Sequence, residues 1–244
     1  SVQGAIQTSV NRVSSLVLDN AVWDDAVHET YRPTLDPNWL YNTWGAGFKI
    51  NNLYDGTFVL DEHFNVIWGS FQSQPFKETN LDFFGKGFKG LINQHGQALP
   101  GDKNIYAGIT RTRNGIAFIG IGLIRPMVGD LQVTDGTRRY LVITRHLSAK
   151  ILSDLGTTFQ IDNLNFTPEK INNLSMPLRS SAGELLGYLN WQARLPGAQA
   201  ARAASSDIRQ IVVLASALIL LFILVSGVGL YKLARGENQA RMVA

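Results

Sequence analysis

The sequence contains no cysteine. That excludes disulfides, thiolate-held zinc, iron–sulfur clusters and a thiol nucleophile. It has no Lys/Arg-rich run, and the net charge is only +3, so nucleic acid is not an expected partner. The familiar catalytic spacings are missing too. The four histidines, His28, His63, His95 and His146, are scattered and form no His-x-x-x-His pair for zinc. There is no Gly-x-Ser-x-Gly elbow and no Walker loop. Gly120-x-Gly122 lies inside an apolar run with no helix after it, which argues against a dinucleotide loop. Asp24 and Asp25 are adjacent carboxylates, but neighbours on a helix point about 100° apart, a poor arrangement for shared acid–base work. The chain is not expected to be an enzyme in itself, and no metal or cofactor is expected.

Hydrophobic residues make up 45% and aromatics 10% of the 244 residues, the composition of an ordered globular protein. The longest apolar run, residues 211–231 (IVVLASALILLFILVSGVGLY), carries no charge. A helix needs roughly 20 such residues to cross a bilayer core. Tyr231 closes the run at the interface, and Lys232, Arg235 and Arg241 follow it. Upstream, Arg202 and Arg209 are partly offset by Asp207. This bias places the C-terminus in the cytoplasm and residues 1 to about 207 outside a bacterial inner membrane. The lipid bilayer is thus an expected partner through residues 211–231. The chain opens at Ser1 rather than Met, shows no signal peptide and ends within a helical stretch at Ala244. A longer protein is therefore expected, with an uncleaved membrane helix just ahead of Ser1 providing export.

Apolar residues at Val2, Ile6, Val10, Val13, Leu16, Val17, Trp23, Val27 and Tyr31 predict one amphipathic helix over 2–31, ended by Pro33 and Pro37. It reads as a stalk whose stripe needs a cover, either a twin chain in a homodimer or the domain core. Residues 38–55 read as a short helix or loop. Strands are expected at 56–61 and 65–69 about a tight turn at Asp61-Glu62-His63, followed by a helix over 81–99 whose glycines weaken it. A hairpin turning at Asn114-Gly115 joins strands at 106–112 and 116–124. The second of these is apolar on both faces and so belongs at the centre of a sheet. A turn at Asp135-Gly136, a strand at 139–144, a helix capped by Ser148, a minor strand at 159–161 and a last hairpin over 177–192 complete the pattern. From Pro196 an alanine-rich helix leads into the apolar run. The pattern predicts an α+β fold, one antiparallel sheet with helices on one face, followed by a transmembrane helix. Its parts are a stalk helix (1–31), a sensor-sized domain (32–195), a juxtamembrane helix (196–210), a spanning helix (211–231) and the start of a cytoplasmic linker (232–244).

Several stretches resemble a known family. They are Trp23-Asp24-Asp25-Ala26 at the end of the leading helix, Asn51-Asn52-Leu53, and the hairpin from Phe58 to Ile67. To these add the strand Tyr140-Leu141-Val142-Ile143-Thr144-Arg145-His146-Leu147, with its Arg-x-Leu ending, and the exit Trp191-Gln192-Ala193-Arg194-Leu195-Pro196-Gly197. Over about residues 20–200 the chain resembles the CHASE sensor domains of the fourth class, within the PAS-like Cache group. It departs from that pattern at Thr110-Arg111-Thr112-Arg113-Asn114-Gly115. The resemblance implies a PAS/Cache-like sheet and a receptor. Its cytoplasmic part would often be a HAMP linker followed by GGDEF and EAL domains that turn over cyclic di-GMP, or else a histidine kinase.

PAS-like domains bind small ligands between the sheet and the segment that covers it. Trp39, Tyr41, Trp44, Tyr54 and Trp68, with Phe83 and Phe84, are candidates to wall such a pocket, because aromatics give a rigid apolar surface with a polar tip. Arg111 and Arg113 are candidates to hold an anionic group through the planar guanidinium. The competing reading of the same residues is core packing and solvated charge. Trp23, Asp24 and Asp25 are expected to anchor the helix end. The expected partner is a small-molecule ligand of unknown identity, and the alternative is a periplasmic protein.

Overall fold

A computed structural model describes residues 1–50, 52–95, 105–129, 137–193 and 212–220. The chain opens with two helices where the apolar spacing predicts one. Helix α1 (Val2–Ala21) stops at Val22, and α2 (Asp24–Thr30) starts after Trp23, whose backbone is extended (φ −157°, ψ 132°). Periodicity cannot register this break, since its cause is a distant strand. Val22 pairs with Arg125, the Trp23 N–H donates to the Arg125 carbonyl (3.1 Å), and the Arg125 N–H donates to the Ala21 carbonyl (3.0 Å). Asp24 accepts from the Met127 N–H at 2.9 Å, and with Asp25 it puts negative charge on the first turn of α2, where the helix dipole favours it.

Strands β1 (Gly56–Leu60), β2 (Val66–Phe71), β3 (Gln74–Pro75), β4 (Ile105–Thr112), β5 (Gly115–Leu123) and β6 (Tyr140–His146) form one antiparallel sheet in the order β3-β2-β1-β6-β5-β4. Gly115 takes the positive φ (121°) that the β4–β5 turn needs. At the β1–β2 turn, Asp61 accepts from the backbone of His63 (3.0 Å) and Asn65 (2.7 Å).

The sheet is covered on both faces, not one, because β5 is apolar on both sides. Phe118 belongs to one core and Ile119 and Ile121 to the other. On the first face lies α1. Its stripe of Val2, Ala5, Ile6, Val13, Val17 and Ala21 is buried against the chain's own core, so the need that pointed to a twin chain is met internally. Burying Val13 and Val17 contributes on the order of 1.5–3 kcal/mol each. Gly120 and Gly122 let the helix approach. A Cβ on Gly120 would stand 2.9 Å from Val17, and one on Gly122 would stand 2.7 Å from it.

The same face carries α3 (Pro37–Leu40), a π-helix (Tyr41–Gly45) and α4 (Gly47–Ile50). The opposite face is closed by a 3-10 turn (Asp82–Phe84) and α5 (Gly85–His95). The end of the helix expected over 81–99 lies outside the described residues.

Helix α6 (Ala149–Phe159), capped by the Ser148 hydroxyl, ends at Phe159 with Gln160 as its left-handed cap, so the minor strand expected at 159–161 is replaced by the helix end, and strand β7 (Asp162–Thr167) follows. β7, β8 (Ser175–Arg179) and β9 (Leu185–Gln192) make a second antiparallel sheet in the order β7-β9-β8. The β8–β9 turn docks on the outer edge of β4. The Ser181 N–H donates to the Ile109 carbonyl (2.9 Å), and the Ile109 N–H donates to Ser181 Oγ (3.2 Å). An edge strand that would otherwise be open to pairing is thus partly occupied.

Residues 1–193 form one compact unit and 194–244 a second. In the second, residues 212–220 are helical. The rest of the expected span 211–231, the juxtamembrane 196–210 and the linker 232–244 lie outside the described residues, as does the turn expected at Asp135-Gly136. Among the described residues, no helix is long and apolar enough to cross a membrane.

Candidate ligand-binding face

Of the aromatics singled out in the sequence, Trp39, Trp44, Tyr54 and Trp68 gather on the α1 face, with Tyr41 next to them in the π-helix. Trp44 is fully buried, and its Nε1–H donates to Asn20 Oδ1 on α1 (3.1 Å). The Trp39 ring bridges Trp23 (5.7 Å between centroids) and Trp44 (5.5 Å). Trp68 on β2 packs, half-buried, against the same core. Tyr41 reaches the Ser73 carbonyl at 3.4 Å.

A π-helix leaves carbonyls turned away from the regular helical ladder, and such segments occur often at functional sites. Here side-chain hydroxyls take them up. Thr57 (3.3 Å) and Tyr54 (3.1 Å) both donate to the Trp44 carbonyl, and Ser70 donates to that of Gly45 (3.1 Å). This accounts for the buried hydroxyls of Thr57 and Ser70, which face each other across β1 and β2. Burial also raises the Tyr54 phenol above its ordinary value. Trp44 and Tyr54 are therefore committed to packing and to each other, while Trp39, Tyr41 and Trp68 are only partly covered.

The structure does not bring the two arginines to these aromatics. Arg111 sits on β4, at the far edge of the sheet from Trp68, and donates to the Leu186 carbonyl at 2.5 Å. Arg113, in the β4–β5 turn, is paired with both carboxylate oxygens of Glu78. Phe83 and Phe84 lie on the opposite face, in a ring cluster with Phe58, Phe71, Phe76 and Phe88.

Two polar features escaped the reading of the sequence. One is a network at the end of β6. Asp55 accepts from the His146 backbone N–H (2.6 Å) and from the Thr144 hydroxyl (3.0 Å), and its Oδ2 lies 2.9 Å from His146 Nδ1. His146 Nε2 lies 2.6 Å from the Thr112 hydroxyl, which also bonds within its own turn. This ties the start of β1, the end of β6 and the β4–β5 turn together. The Thr112 hydroxyl also donates to the Gly115 carbonyl and accepts from the Asn114 N–H, so the trio clamps the turn to the strand ends. The other feature is Arg145, one residue earlier on β6. Strand alternation puts it on the α1 face with Leu141 and Ile143. That alternation was the available signal, masked because the residue closes a motif already read as a strand ending.

The arrangement is a two-faced α+β domain with an aromatic, hydroxyl-rich face under a long helix. It belongs to a class of binding domains carried by receptors. The CHASE4 domain profile matches residues 5–166, and the chain belongs to the CHASE4 domain family. It is an extracytoplasmic sensor domain, and such a domain is not itself catalytic.

Two solved structures are similar over most of their length, both of the periplasmic domain of LuxQ from Vibrio cholerae. One is 13% identical, with a TM-score of 0.43, covering 79% of this chain and 96% of that one. The other, of the selenomethionine form, is 11% identical, with a TM-score of 0.41, covering 79% and 95%. Both are too distant to guide the reading of single residues. No curated protein matches the chain.

Proposed function

We propose that the chain is the sensing part of a membrane receptor, which passes a ligand-dependent change in its outer domain through the helix at 211–231 to a cytoplasmic output. That output is proposed to be the turnover of cyclic di-GMP. The observation that carries the reading is the order of two features: a CHASE4 match over 5–166, then an uncharged run at 211–231 with Lys232 and Arg235 behind it. A ligand transmits a signal only if it favours one of two arrangements of the domain, so a bound ligand without such a preference would shift nothing.

Topology is tested by placing an export signal ahead of Ser1 and fusing alkaline phosphatase after residue 193 or after residue 244. The enzyme is expected to be active at the first site and inactive at the second; equal activity at both overturns the reading. The nature of the output is tested by reading the gene past Ala244. A GGDEF or EAL motif supports cyclic di-GMP turnover, whereas a kinase motif replaces it with phosphorylation and an immediate stop codon removes the receptor reading altogether.

A further inference from the structure

The row of Thr112, His146 and Asp55 can hold its protons in two ways. His146 Nδ1 lies 2.9 Å from Asp55 Oδ2, an atom that also accepts from the His146 backbone N–H (2.6 Å). Asp55 Oδ1 accepts from the Thr144 hydroxyl (3.0 Å). The carboxylate thus takes donors on both oxygens, and the ring nitrogen facing it is an N–H. On the other side of the ring, His146 Nε2 lies 2.6 Å from Thr112 Oγ1. A contact this short needs a proton between the two atoms, and either of them can supply it. Thr112 Oγ1 has a second acceptor in reach, the Gly115 carbonyl at 3.1 Å, and itself accepts from the Asn114 N–H at 3.1 Å.

A hydroxyl carries a single proton, so Thr112 cannot serve His146 and Gly115 together. When the imidazole is neutral, its proton is on Nδ1 and Nε2 is an acceptor. The Thr112 hydroxyl then turns to the ring, and the Gly115 carbonyl loses that donor. When the imidazole is charged, both ring nitrogens donate. Thr112 then accepts from Nε2, and its own proton goes to Gly115. Histidine is the side chain that ordinarily changes charge between pH 5 and 8. Asp55 is the ion partner of this one. Arg113, next to Thr112, is paired with Glu78, and Arg145, the preceding residue on β6, lies on the other face by strand alternation. The cross-strand partner on β5 is Ala117, and the rings of Phe71 on β2 (5.4 Å) and Phe83 in the 3-10 turn (6.5 Å) stand edge-on to the imidazole. Side-chain exposure is 13% for His146 and 12% for Asp55, so the pair is not a solvated surface contact.

We propose that Asp55, His146 and Thr112 form a proton switch. Acidification of the extracytoplasmic medium moves the Thr112 hydroxyl from His146 to the Gly115 carbonyl and closes the β4–β5 turn. The place suits an input. His146 ends β6, its carbonyl accepts from the Ser148 N–H (2.9 Å), and Ser148 caps α6, which leads to the second sheet. The row stands on the face of Val142, opposite α1. It needs no ligand on the aromatic face, so the switch and the ligand-sensing reading stand or fall separately.

The whole 244-residue chain, held in detergent micelles, is followed by nuclear magnetic resonance through the range in which histidine changes charge, about pH 8 to pH 5. The readouts are the imidazole nitrogens and the Gly115 carbonyl carbon. His146 is told from His28, His63 and His95 by the signal that His146→Gln removes. At the alkaline end a neutral ring with its proton on Nδ1 is expected. At the acid end both nitrogens should be protonated, and the Gly115 carbonyl should shift with the same midpoint. Thr112→Val, which removes the hydroxyl, should abolish the Gly115 shift while His146 still titrates. Should Thr112→Val fail to fold, Thr112→Ser carries the test, since it keeps the hydroxyl and must keep the shared midpoint. A neutral His146 protonated on Nε2, or one that keeps its charge unchanged over this range, overturns the switch. So does a Gly115 signal that ignores His146 in wild type or in Thr112→Ser, or that follows it equally in Thr112→Val.

Discussion

Tyr31 shows how much a single side chain can tie together. Its hydroxyl donates to the Ile124 carbonyl (3.0 Å) and accepts from the Arg139 N–H (3.0 Å), while the Arg139 guanidinium lies over its ring. Burial pushes its phenol up from 10.0 to about 12. A raised folded value means that this contribution to stability is complete below pH 10 and is lost as pH climbs from 10 to about 12, because the unfolded phenol ionises first. The loss should be on the order of 2 kcal/mol after allowance for solvent screening. Urea unfolding at pH 9 and pH 11.5 should therefore show a steeper alkaline loss in wild type than in Tyr31→Phe; parallel profiles would show that the phenol is not held in its neutral form. Trp44 is the second such residue. Trp44→Ala should cost about 3–5 kcal/mol by urea unfolding, since it empties a fully buried site and strands the Asn20 amide oxygen. A cost under about 1 kcal/mol would mean that the π-helix is not seated on the sheet.

Among the elements, what could be read in advance follows local chemistry. The Asn114-Gly115 turn, the Asp61 turn and the Ser148 cap each specify themselves within a few residues, and all three stand where the sequence puts them. The break at Val22–Trp23 depends on Arg125, more than 100 residues away in sequence, and no periodicity reports it. The two-sided cover of the sheet was implicit in the doubly apolar strand at 116–124, but which segments supply it is a tertiary fact. The candidate site divides in the same way. The aromatics near Trp44 share a face because they are close in sequence, whereas Arg111 and Arg113 were chosen for residue type and find partners elsewhere. Gly120 and Gly122 set the approach of α1 to β5. Gly120→Val should cost about 1–3 kcal/mol and raise amide exchange across residues 13–21, because its side chain meets Val13 and Val17. Unchanged exchange there would show that α1 does not depend on this contact.

For the molecule as a whole, this CHASE4 domain has its leading helix buried on its own sheet, and the proposed function requires a ligand to change how that helix lies. The π-helix and α1 are joined through the bond from Trp44 to Asn20, so under the proposed reading a ligand on the aromatic face is expected to act on α1. Sensing is the central claim. It is tested most directly by thermal unfolding of the whole chain against a broad set of amino acids, organic acids, polyamines and nucleotides. A true ligand stabilises by about 2.7 kcal/mol at a hundredfold excess over its Kd. At least one such shift is expected, and it should shrink when Trp39 or Trp68 is replaced by Ala. A well-folded chain that no compound in the set stabilises would contradict small-molecule sensing and direct the search to a periplasmic protein.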